Sequence, residues 1–208
     1  MNYRIAYAIG FHPWEDLRDH APFADTLLAL VGREEVGREP PYGPALDIGT
    51  GSGVWGVELA RRGWQVTGVD IVPKALERAR ERADAAGVEL RLLCADVTAL
   101  SDSAVGGGFR LVLDTGTFHG LPGPAREAMA QQLAAVCADD ATVILDCFAP
   151  RRRGPLPRGA SREDVEHAFR GWTITDAEVA DTKPDAIARV FRFDERFYRL
   201  RRDGAPTG

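Results

Sequence analysis

Up to Pro44 apolar and polar positions alternate without a steady strand period. Helical spacing runs over Trp14–Val31, and the segment Gly37-Arg38-Glu39-Pro40-Pro41-Tyr42-Gly43-Pro44 then ends any helix through its proline and glycine density. From Ala45 onward the pattern changes. Apolar runs of strand length alternate with amphipathic stretches of helix length, as in a mostly parallel sheet covered by helices on both faces. Strands are predicted at Ala45–Ile48, Gln65–Asp70, Glu89–Ala95, Phe109–Asp114 and Thr142–Cys147. Crossover helices are predicted at Val54–Arg62, stopped by Gly63, at Pro73–Ala86, stopped by Gly87, and at Ala125–Cys137, with Met129, Leu133 and Val136 on one face. Past Pro150 a run rich in Arg, Pro and Gly precedes a helix at Ser161–Phe169. Residues 172–181 and 188–201 read as a closing antiparallel hairpin.

These elements predict one α/β domain, a Rossmann-like fold with a seven-stranded, mostly parallel sheet and a C-terminal antiparallel hairpin. Residues 1–44 are expected to form an amino-terminal helical cap over the site, and 45–208 the core. A length of 208 residues suits a single domain of this kind. The formal net charge of −5 offers no broad basic field for phosphates, so no nucleic-acid partner is expected. No apolar stretch approaches the ~20 residues that span a bilayer, and no signal core follows Met1, so a cytoplasmic protein without a membrane partner is expected. Cys94, Cys137 and Cys147 are odd in number and lack metal-ligand spacing, which fits a reducing compartment and predicts no metal site.

The candidate chemistry lies in Ala45-Leu46-Asp47-Ile48-Gly49-Thr50-Gly51-Ser52-Gly53, where a strand passes through three alternate glycines into a helix. Glycine permits turns and close approach that a Cβ forbids, and a ligand crossing this turn meets amides at a helix start. Asp47 holds the turn or receives the ammonium of an amino-acid moiety. Asp70 ends the second strand 19 residues after Gly51, the place of a carboxylate that accepts ribose hydroxyls. Asp96 ends the third, where it can accept from the exocyclic amine of adenine. Gly51-x-Gly53-x-x-Gly56 also satisfies a dinucleotide fingerprint, so a nicotinamide-dependent oxidoreductase is the rival reading. Asp47, Asp96 and the lack of a Tyr-x-x-x-Lys pair favour S-adenosylmethionine (SAM).

This arrangement resembles the class I SAM-dependent methyltransferases, whose first motif, Asp-x-Gly-x-Gly-x-Gly, matches residues 47–53 without departure. The resemblance spans about Pro44 to Pro150. It implies that Gly49, Thr50, Gly51 and Gly53 lie along the methionine part, and Asp70 and Ile71 along ribose and adenine. It further implies that Asp96, flanked by Ala95 and Val97, contacts adenine. The segment that opens at Asp114 and Thr115 and runs to His119 is similar to the family's post-strand motif beside the methyl donor. Trp14, in an amino-terminal helix that covers the cofactor in many such enzymes, would face the sulfonium through a cation–π contact. The short amino-terminal segment and compact sheet are similar to the thiopurine and tellurite-resistance branch.

The implied reaction moves the SAM methyl to an oxygen, nitrogen or sulfur of a small molecule and leaves S-adenosylhomocysteine (SAH). A SAM-binding protein without transfer activity is the other alternative. His119 is the best-placed base, or else a histidine that fixes its turn. Arg151–Arg153 with Arg158 read as a solvated loop or an anion-recognition element. Glu39-Pro40-Pro41-Tyr42 is similar to a nucleic-acid amino-methyltransferase motif but precedes the wrong strand, and reads as a turn.

Overall fold

A computed structural model describes residues 21–151, 158–179 and 195–203. The chain forms α1 (Ala21–Arg33), β1 (Gly43–Ile48), α2 (Val54–Arg62), β2 (Trp64–Asp70), α3 (Pro73–Ala86), β3 (Arg91–Cys94) and β4 (Phe109–Thr115). It continues through α4 (Gly123–Val136), β5 (Cys137–Phe148), α5 (Arg162–Ala168), β6 (Trp172–Val179) and β7 (Glu195–Arg202). The seven strands make one sheet in the order β3-β2-β1-β4-β5-β7-β6. Pairing is parallel from β3 to β5. β7 runs antiparallel to both β5 and β6.

The predicted sheet and its antiparallel end are both present, and the local boundaries have physical causes. α2 and α3 end at Gly63 and Gly87, whose left-handed φ values of 108° and 65° let the amides cap the last carbonyls. α5 opens at Ser161, whose hydroxyl accepts from the Asp164 amide while the Asp164 carboxylate accepts from the Ser161 amide. β5 starts at Cys137 instead of Thr142, because Cys137 pairs with Phe109 across an irregular register. In the closing pair the second strand, not the first, adjoins β5. β7 buries Phe197, Tyr198 and Leu200, whereas β6 alternates toward solvent and takes the edge.

Two apolar layers flank the sheet. On one face α1 and α2 pack Phe23, Leu27, Leu30, Trp55 and Leu59 on Leu111, Leu113, Ile144 and Phe197. Phe23 holds both neighbours, with ring centroids 5.7 Å from Trp55 and 5.0 Å from Phe197. The far end of α1 is pinned by charge. Glu34 accepts from Arg199 Nε at 2.7 Å and from the Thr142 hydroxyl at 2.8 Å. The other face packs α4 and α5 through Met129, Leu133, Val165 and Phe169 onto Val112, Val143 and Leu145. Glu39 to Tyr42 form no helix or strand, in keeping with a turn, and the Tyr42 amide donates to the Gly63 carbonyl at 3.1 Å. Among the described residues no helix is long and apolar enough to cross a membrane, and no cluster of metal-ligating side chains occurs.

Candidate functional site

Strand order reverses between β1 and β4, which run side by side while their connections leave toward opposite halves of the sheet. Ligands of open α/β sheets bind outside the carboxyl ends of the strands at such a switch point. The turn after β1 lies there. Gly49, Gly51 and Gly53 have φ of 61°, 55° and 76°, a region that L side chains enter only with strain. A Cβ on Gly49 would lie 2.0 Å from Thr117 Oγ1, so the turns after β1 and β4 touch with no room for a side chain. A Cβ on Gly53 would meet Ala79 Cβ at 2.9 Å, which sets how closely α2 approaches α3.

Acidic side chains close around this loop. Asp47 is buried and accepts from the Thr50 hydroxyl at 2.5 Å. Burial, followed by the negative charges of Asp114 and Asp70, pushes its carboxyl up to about 7. Asp70 accepts from the Gly51 amide at 3.0 Å and the Val72 amide at 2.8 Å, tying the tip of β2 to the glycine loop. Desolvation raises it too, against the pull of those amides. Arg82 on α3 secures the loop from below through Nε to the Ser52 carbonyl at 2.9 Å.

Beside Asp70, Ile71 is an exposed large apolar side chain at 45%, an aliphatic surface on the rim of the crevice. Asp96 is exposed, and its Oδ1 accepts from the amide and hydroxyl of Thr98, both at 2.8 Å, while Ala95 and Val97 on either side are buried. Asp47, Asp70 and Asp96 therefore stand at or just past the tips of β1, β2 and β3, as their spacing predicts.

Asp114, expected beside the cofactor, holds the turn after β4. It is fully buried, and its carboxylate accepts from the amides of Gly116 at 2.9 Å, Thr117 at 2.6 Å and Phe118 at 2.9 Å. Desolvation outweighs these bonds and lifts it to about 6. It holds the turn against Gly49, and Thr115 is the residue left at the β4 tip.

His119 is buried, with its ring stacked on Phe148 at 4.3 Å and its Nδ1 accepting from the Phe148 amide at 3.3 Å. That bond places its proton on Nε2, the tautomer of a neutral ring that cannot also take a proton through Nδ1. Trp14 lies outside the described residues.

Two features escaped the sequence reading. Arg126 is buried on α4 and donates to the carbonyls of Phe118 at 3.1 Å, His119 at 3.1 Å and Gly159 at 2.7 Å. It stitches the turn after β4 to the segment that leads into α5. Its signal was an arginine at a core position, three residues before Met129. Asp146 and Glu195, at the carboxyl end of β5 and the start of β7, are also buried. A lone acid inside the apolar run Val143-Ile144-Leu145-Asp146-Cys147 was the visible trace of the first.

The comparison with known proteins decides the family. A methyltransferase-domain family matches residues 45–140. The chain is also 30% identical over 160 residues to 2-heptyl-1-hydroxyquinolin-4(1H)-one methyltransferase of Mycobacteroides abscessus, across 74% of this chain and 67% of that one. The chain belongs to the class I SAM-dependent methyltransferases. Among solved structures, one from work on the conversion of a disulfide bond into a thioacetal group during echinomycin biosynthesis matches with a TM-score of 0.67 and 28% identity, over 84% of this chain and 81% of that one. The 1,6-didemethyltoxoflavin-N1-methyltransferase of Burkholderia thailandensis, solved with its substrate and SAH, matches with a TM-score of 0.73 and 19% identity, over 97% of this chain and 85% of that one.

The residues of the methyltransferase fit its cofactor. SAM carries a sulfonium and an ammonium, and buried carboxyls that repel one another gain from a nearby cation. The glycine turn carries no Cβ at residues 49, 51 and 53 that would hinder close approach, and Ile71 offers an apolar surface next to Asp70. The nicotinamide reading is set aside with the family.

Proposed function

We propose that this methyltransferase transfers the methyl group to a heteroatom of a small molecule. The observation that carries the reading is the lock of Asp70 on the Gly51 amide at 3.0 Å, within a loop closed by acids on neighbouring strand tips. Similarity to a hydroxyquinolinone methyltransferase over three quarters of the chain supports a small acceptor. Gly49, Thr50, Gly51 and Gly53 are assigned to the methionine part of SAM, Asp70 and Ile71 to the ribose, and Ala95, Asp96 and Val97 to adenine. Thr115 borders the methyl donor; the cover expected of Trp14 lies outside the described residues, and α1 packs on the sheet face instead of capping the site.

When bound, SAM supplies an electrophilic methyl on a good leaving group. The protein's task is then mainly alignment, and positioning can account for ~7–11 kcal/mol of barrier lowering. Asp47 opposes the positive charge and holds Thr50. Asp114 and His119 position the turn and strand end on the acceptor side, and His119 acts as a positioning residue in place of a base. Action in the cytoplasm without nucleic-acid or membrane partners belongs to the same reading, and the acidic net charge of −5 supports it.

The test is SAH formation from SAM with a panel of hydroxyquinolines, phenols, amines and thiols. At least one compound is expected to be methylated with mass gain on oxygen, nitrogen or sulfur. SAM binding without turnover on any class would leave a SAM-binding protein and refute the transfer reading.

A further inference from the structure

The cofactor assignment uses the tips of β1, β2 and β3, which leaves the β4-β5-β7 half of the same edge for the acceptor. Asp146 lies on that half, opposite Thr115 on one side and Phe197 on the other. Its alternation with Ile144 puts it on the α1 and α2 face, the face that Asp47 shares through its alternation with Ala45. Glu195 lies diagonally across the β5–β7 pair, two residues from Phe197 and on the same face.

Asp146 is 1% exposed, and its Oδ1 has no hydrogen-bond partner among the described residues. By contrast, Asp47 is bonded to Thr50, Asp70 to two amides and Asp114 to three. A dry, unpaired carboxyl oxygen is costly and persists where function requires it.

We propose that Asp146, backed by Glu195, accepts the hydrogen bond of the methyl acceptor's own O–H or N–H, and so selects acceptors that carry a hydrogen on the nucleophilic atom. The inference rests on the small-molecule reading above and narrows it. Asp146 is raised well above the usual carboxylate range by burial and then by the charges of Glu195 and Asp114, and Glu195 is raised by burial. Two such groups side by side share protons instead of both ionising. An anionic acceptor, such as a thiolate or carboxylate, adds a further negative charge here and is disfavoured. A neutral hydroxyl or ring N–H supplies the missing donor.

The test uses the full chain saturated with SAH, titrated calorimetrically with 2-heptyl-1-hydroxyquinolin-4(1H)-one and with its O-methyl ether, which lacks the donor hydrogen. The wild type is expected to bind the hydroxyl compound at least tenfold more tightly, since a site built for a donor rejects the analogue without it. Asp146→Leu, which has no acceptor oxygen, should reduce the preference below threefold with SAH affinity unchanged, whereas Glu195→Gln should retain it. A purely structural acid pair would instead give the two variants the same behaviour. The infrared carboxyl band of the wild type gives a second readout that needs no variant, and should shift with the hydroxyl compound but not with the ether. Equal binding of the two compounds, no binding of either, or a preference that survives Asp146→Leu overturns the assignment. Failure of SAH itself to bind the wild type would overturn the cofactor reading beneath it, and is told apart by that separate titration.

Discussion

Replacing Gly49 with alanine probes the contact that joins the two turns of the switch point. The new Cβ would lie 2.0 Å from Thr117 Oγ1, 3.4 Å from Thr117 Cβ and 3.9 Å from its Cγ2. Residue 49 also has φ +61°, where an L side chain costs about 1–2 kcal/mol. Overpacking of a tight site adds about 1–3 kcal/mol. The sum predicts a loss of ~2–5 kcal/mol for Gly49→Ala. Thr117→Ala removes the clashing Oγ1 and leaves Cβ at an ordinary contact distance, while the hydroxyl lost makes only a long 3.5 Å approach to the Ile48 carbonyl.

Thr117→Ala alone should therefore cost about 1 kcal/mol or less. The double variant should recover the packing share, ~1–3 kcal/mol, and keep the backbone share. Urea unfolding followed by tryptophan fluorescence, run as a double-mutant cycle, measures both. Additivity within about 0.5 kcal/mol would refute the claim that these two residues meet.

Asp70→Ala should weaken SAH binding at least tenfold by calorimetry, because a charged acceptor contributes ~1.5–3 kcal/mol. Unchanged affinity would show that the ribose lies elsewhere. His119→Ala should lower the melting temperature while leaving SAH affinity and the pH profile of turnover in place, and loss of a basic limb from that profile would restore the base reading. The pH dependence of stability should be inverted from that of an ordinary acidic protein. Asp47 at about 7 and Asp114 at about 6 bind protons more tightly when folded than unfolded. Their protonation favours the cofactor-free fold, so stability rises as pH falls through these values. For Asp47 the step from pH 8 to pH 6 is ~1.4 kcal/mol. Scanning calorimetry should show the cofactor-free protein melting higher at pH 6 than at pH 8. SAM binding, which needs the ionised form, should weaken roughly tenfold over the same step.

The strand tips assigned to the cofactor were legible because their pattern is local. Asp47, Asp70 and Asp96 each follow an apolar run, and three glycines interrupt helix and strand patterns alike. The proposed acceptor half was not, because it depends on partners far apart in sequence. Arg126 shares a helix face with Met129, but the carbonyls of residues 118, 119 and 159 that it reaches come together only in the fold. Glu195 meets Asp146 only after β7 inserts beside β5, which no periodicity announces. The three amides that Asp114 holds belong to a turn whose shape the residues alone do not specify.

The reversal of strand order also divides the molecule for an engineer. On the proposed assignment, donor grip and acceptor choice rest on opposite flanks of the switch point, joined at Gly49 and Thr117. A library that randomises the ends of β4, β5 and β7 while sparing the first three strand tips could be screened for new acceptors in a background that still loads its methyl donor.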